Sequence, residues 1–175
     1  MSSLDLVWTT RVGGGGRTER RYLDFVIDGA PLSSLIDADF ISPFGWLDEA
    51  TRKADIDRLL GKSPPDMAHG RTSLYICPEC GDLGCGAVTV LIERGDHVVT
   101  WKNFGIQNNY EDVVHTERLA NIGPFTFDSS QYDELLRKLN GNTAEILAEI
   151  AALPQEGSND SFEGREHDSI LYPKT

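Results

Sequence analysis

The sequence predicts an α+β fold: a mainly antiparallel sheet built from hairpins, with helices packed on one face. Three observations predict it. Strand signals fall in neighbouring pairs, Leu4–Val12 with Arg20–Ile27 and Ala87–Glu93 with His97–Phe104. Helix signals also fall side by side, ending at Leu139 and starting again at Thr143, so no βαβ alternation appears. The longest apolar run, Gly86–Ile92, has the length of a strand and falls well short of the roughly 18 residues of a membrane span.

The first hairpin joins Leu4–Val12 to Arg20–Ile27 across four glycines, Gly13–Gly16, which no regular element favours. In the second strand Tyr22, Asp24 and Val26 alternate with Leu23, Phe25 and Ile27, and Asp28-Gly29 makes the closing turn. Pro31–Ile36 reads as a short helical turn or bridge. Phe40–Trp46 is aromatic but holds Pro43 and Gly45, and reads as a packed loop. Asp48–Leu60 is a helix, with acidic residues at its start and Leu47, Ala50, Ala54, Ile56, Leu59 and Leu60 on one face. Gly61 ends it, and Ser63-Pro64-Pro65 blocks any continuation.

Ser73–Ile76 is a short strand that enters a cysteine loop. Ala87–Glu93 is nearly continuously apolar and so expected to be central and covered on both faces. It turns at Arg94-Gly95-Asp96 into His97–Phe104, where Val99 and Trp101 share one face. Gln107–Asp112 is polar and loop-like. After Gly123-Pro124, Phe125–Phe127 is a strand. Asp128 or Ser129 then caps a helix to Leu139, with Tyr132, Leu135, Leu136 and Leu139 as its stripe, and Asn140-Gly141 stops it. A further helix spans Thr143–Leu153, with Asn142 and Glu145 at capping-box spacing. One domain over residues 1–154 and an acidic tail over 155–175 follow, with no repeat and no internal linker.

The formal net charge is −12. Residues 1–22 carry +2 (four basic, two acidic), residues 142–175 carry −5 (two basic, seven acidic), and residues 23–141 carry the remaining −9. The acidity therefore belongs mainly to the predicted body and not to the tail. It argues against nucleic acid and against an anionic membrane surface as partners. The N-terminus has no basic leader and Asp5 breaks its apolar residues, which with three clustered cysteines points to a cytoplasmic protein with reduced thiols.

Cys77-Pro78-Glu79-Cys80-Gly81-Asp82-Leu83-Gly84-Cys85-Gly86 is the segment with chemistry in it. Two thiolates three residues apart can reach one ion, and the glycine lets the backbone turn its N–H groups toward sulfur, as in a rubredoxin or zinc-ribbon knuckle. Cys77, Cys80 and Cys85 would supply three ligands of a structural zinc site, if one forms. The fourth is a histidine, a carboxylate or water. His97 follows the far end of a seven-residue strand, roughly 20 Å away. His69 precedes the incoming strand, and His167 lies in the tail. His115 follows the strand that returns to the cysteine end, and is the histidine expected as ligand. The alternatives are three packed thiols without metal, and a disulfide formed on oxidation. Gly81, Gly84 and Gly86 preclude the helix start that a thioredoxin-type redox pair uses.

Other patterns are weaker. Gly13–Gly16 lacks the Lys-Ser/Thr ending of a phosphate loop and precedes a strand. Arg11, Arg17, Arg20 and Arg21 read as solvated strand ends. Asp37-Ala38-Asp39 is better explained by capping than by metal. No catalytic set can be assembled, which argues against an enzyme.

Three segments together resemble an uncharacterised group of bacterial hypothetical proteins: Cys80-Gly81-Asp82-Leu83-Gly84-Cys85, Val99-Thr100-Trp101-Lys102-Asn103-Phe104, and Gly123-Pro124-Phe125-Thr126-Phe127 with Tyr132. The resemblance implies a bacterial, cytoplasmic protein and transfers no catalytic residue. The functional expectation is a non-catalytic acidic interaction protein, immunity- or inhibitor-like. Its carboxylates Asp82, Glu111 and Asp112 would meet a basic protein partner. The alternatives are a small zinc-binding module and an enzyme of unknown class.

Overall fold

The computed structural model describes residues 1–141. The expected helix Thr143–Leu153, the tail, His167 and the domain boundary at residue 154 lie outside the described residues. In chain order the elements are β1 (Leu4–Arg11), β2 (Arg20–Ile27), β3 (Ala30–Pro31), α1 (Glu49–Leu59), β4 (Thr72–Ile76), β5 (Ala87–Arg94), β6 (Val98–Gln107), β7 (Phe125–Asp128) and α2 (Ser129–Asn140). The antiparallel α+β reading holds. The strands divide into two sheets, one of order β1-β2-β3 and one of order β4-β5-β6-β7.

The segment Phe40–Trp46 explains how two sheets share one core. Leu23 of β2 donates its N–H to Phe44 at 2.9 Å, and Ile41 exchanges two backbone bonds with Ile76 of β4, at 3.0 and 2.8 Å. The loop therefore links the stretch of β2 that β3 leaves unpaired to the edge strand β4 by hydrogen bonds. Phe25 of β2 reaches Tyr75 of β4 at 5.8 Å and Trp101 of β6 at 5.3 Å, both edge to face. Both faces of β2 end up buried, Asp24 included. Its carboxylate accepts a hydrogen bond from the Tyr75 hydroxyl at 2.6 Å and another from Ser33. Burial raises its pKa against those bonds.

Both helices are capped as their sequences dictate. The Asp48 side chain accepts from the Thr51 amide at 3.0 Å, and Gly61 takes the left-handed φ of 71° that a helix end requires. The Asp128 carboxylate accepts from Ser130 and Gln131. The buried stripe of α1 is narrower than expected. Ile56, Leu59 and the C-cap Leu60 are buried, whereas Ala50 is exposed. On α2, Tyr132, Leu136 and Leu139 are buried, and the Tyr132 hydroxyl donates to the Leu59 carbonyl of α1 at 3.1 Å.

The β5–β6 hairpin forms at the expected turn, but β6 continues to Gln107. Thr89 pairs with Gly105, and Leu91 pairs with Lys102. Val90 thus faces two residues, and Asn103 absorbs the bulge with φ 54°.

One carboxylate of α1 makes stability depend on pH. Burial, and the nearby Asp66 charge, push the Asp55 pKa from 3.8 up to about 6, against the opposing pull of Arg58. A raised carboxylate stabilises the fold while protonated, and this contribution is lost as pH rises from 3.8 through about 6. Asp55→Asn is expected to gain on the wild type by on the order of 2–3 kcal/mol across that window. Urea melts at pH 4 and pH 7 check this, and an unchanged difference between the two proteins would refute it.

Candidate metal centre at the cysteine loop

The loop joining β4 to β5 begins with a tight turn, in which Gly81 N–H donates to the Cys77 carbonyl at 2.9 Å. Gly81 sits at φ 68°, and a Cβ there would press on Leu47 at 3.3 Å, so glycine serves both the turn and the packing. The Asp82 amide donates to Cys80 Sγ at 3.4 Å. The Asp82 carboxylate accepts from Gly84 at 2.5 Å and starts the short 3-10 turn Leu83–Cys85. That turn brings the third cysteine back to the first two.

Three sulfurs result, all within 4.8 Å of one another. Cys80 and Cys85 lie 3.2 Å apart, and all three thiols are free. Three thiolates at about 2.3 Å from one tetrahedral zinc would stand about 3.8 Å apart, so the observed separations need only small adjustments. Burial pushes the Cys77 thiol up, but the amides of Cys80 and Glu79 and the two neighbouring thiols outweigh it and hold the pKa below its ordinary value. Hydrogen bonds to Cys80 and Cys77 push the Cys85 thiol up to about 12. Without a cation the surroundings thus favour the thiolate at Cys77 and oppose it at Cys85. A divalent cation reverses that opposition.

The loop is clamped from the first hairpin. Arg11, whose side chain is only 7% exposed, grips Asp39 through Nε at 2.9 Å and Nη2 at 2.6 Å. Its Nη1 reaches Glu79 at 2.7 Å. Glu79 also accepts from the Thr18 hydroxyl at 2.7 Å and amide at 3.1 Å. These Thr18 bonds, with Arg11, hold its carboxyl down to about 2. Arg20 donates to the Pro78 carbonyl at 2.8 Å and stacks over Trp46. The expectation that these arginines are merely solvated strand ends is therefore corrected for Arg11 and Arg20. Their partners are the cysteine turn and Asp39, which lie 28 to 68 residues away in sequence and gave no local signal.

His115 stands outside the sulfur group. Among the described residues the group that could hold an ion contains the three cysteines and no histidine. His115 is exposed and exchanges two backbone bonds with Ile106, at 2.8 Å each. β6 runs beyond Phe104, and the chain loops out before returning alongside it, so His115 becomes a bridge residue on that strand. His69 pairs instead with Asp112 at 2.7 Å. Asp82, Glu111 and Asp112 are all exposed, and each has an internal partner: Gly84, Asn108 and His69 respectively. The loop carrying Glu111 lies against the cysteine loop, since a Cβ on Gly84 would stand 3.4 Å from Tyr110 and 3.5 Å from Asn109.

No protein-family model, curated protein or solved structure matches this chain. Among the described residues no helix is long and apolar enough to cross a membrane.

Proposed function

We propose that the protein binds one zinc ion through the thiolates of Cys77, Cys80 and Cys85, with a fourth position left to water or another donor. The observation that carries this is the approach of three sulfurs to within 4.8 Å in a turn whose amides point at Cys77 and Cys80. The ion would tie the β4–β5 connection into one unit, already clamped to the first hairpin by Arg11 and Arg20. Cobalt(II) added to the reduced protein is expected to give thiolate charge-transfer absorption at one ion per chain, displaced by zinc. Absence of that band, with zinc well below one per chain in the purified protein, would overturn the proposal.

A second reading is supported by the neighbouring loop. Tyr110 is 73% and Val113 50% exposed, and they flank Glu111 and Asp112. An exposed aromatic beside carboxylates suits a basic protein partner, with the ring as anchor and the charges as steering groups. Association with such a partner should slow as salt rises, and a rate indifferent to salt would refute this reading.

A further inference from the structure

A cavity of about 570 Å³ lies between the β5–β6 hairpin and the segment that leads into β7, away from the cysteine loop. Its character is opposite to that of the whole molecule. In a chain of net charge −12, among the described residues no aspartate or glutamate lines it, whereas His69, Arg71 and Lys102 do. Phe104, Leu119 and Ile122 supply buried apolar wall.

Arg71 is the decisive residue. It is 4% exposed, yet no carboxylate among the described residues pairs with it. Its Nε donates to the Thr89 hydroxyl at 2.9 Å, and its Nη2 donates to the carbonyls of Thr89, at 3.0 Å, and Asn103. All three acceptors are neutral, and Nη1 takes part in none of these bonds. Gly105 makes room for this guanidinium, since a Cβ there would come within 3.1 Å of Nη2 and 2.7 Å of Val114. A buried cation without a counter-charge is costly, and a bound anion would offset that cost. Lys102 is shared with Glu93 at 2.5 Å, and His69 with Asp112 at 2.7 Å. Both of these side chains thus have a carboxylate partner, and among the described residues of the lining Arg71 is the cation without one, which suits a monoanion. Two non-glycine residues held at left-handed φ, His69 at 63° and Asn103 at 54°, also line the cavity.

We infer that this cavity binds a small organic carboxylate, with the carboxylate on Arg71 Nη1 near Lys102 and the apolar body against Phe104, Leu119 and Ile122. The test is an amide NMR titration of the wild-type protein with hexanoate, hexanamide and acetate. Hexanoate is expected to shift resonances of residues 116–123 and the Arg71 side chain. Hexanamide and acetate should each bind about tenfold more weakly or worse, lacking the charge or the body. Arg71→Gln should weaken hexanoate by about tenfold or more. Lys102→Gln changes a partly exposed side chain, so it tests the site even if the Arg71 variant misfolds, and it should weaken hexanoate several-fold. Hexanamide binding as well as hexanoate, shifts only outside the cavity, or no shifts at all would each overturn the inference.

Discussion

Replacing Cys80 with serine is expected to abolish stoichiometric zinc binding and to remove the zinc-dependent part of the protein's stability. Serine cannot supply a thiolate, and Cys77 and Cys85 alone leave half of a tetrahedral shell unfilled. The size of the effect follows from linkage. At free zinc a thousandfold above the dissociation constant, binding adds about 4 kcal/mol to the folded state. The hydrophobic core includes none of the three cysteines, so the variant should still fold. The loss should appear as a chelator effect: a metal chelator lowers the melting temperature of the wild type and leaves Cys80→Ser unchanged. A wild type indifferent to chelator, or a variant as sensitive as the wild type, would contradict the proposed site.

Trp101→Ala should be the most damaging substitution in the core. Trp101 is fully buried and meets Phe25 of the smaller sheet, Phe127 of β7 and Tyr132 of α2, all edge to face. Its Nε1 donates to the Tyr132 hydroxyl at 3.2 Å, which in turn donates to Leu59 of α1. One side chain thus joins both sheets to α2 and, through Tyr132, to α1. Removing such a ring costs about 3–5 kcal/mol, against a total stability on the order of 5–15 kcal/mol for a domain. Urea denaturation measures it. A loss below about 1 kcal/mol would mean that the core refills the space, contrary to its close packing.

Much of the local structure is legible in the sequence because the signals are short-range. The turn at Arg94-Gly95-Asp96, the caps Asp48 and Asp128, the glycine at 61 and the Val99/Trp101 alternation each act within a few residues. The cysteine site is legible for the same reason: the turn that gathers Cys77, Cys80 and Cys85 spans nine residues. The assignment of His115 as ligand depended on where a loop returns, and local spacing does not fix that.

What the sequence determined by itself is therefore most of the elements among the described residues, their antiparallel order, the acidic balance and the three clustered thiols. Only the tertiary structure decided that the strands form two sheets joined through Ile41 and Leu23, that Arg11 clamps Glu79 and Asp39, and that Arg71 is buried without a carboxylate beside a cavity. The reason is physical. Periodicity, capping and ligand spacing are written in neighbours along the chain. Charge pairing and cavity lining depend on contacts across 28 to 68 residues, as for Arg11 with its two partners. Such contacts exist only once hydrophobic burial has closed the chain, and burial ranks residues by apolar area without naming which charges will meet.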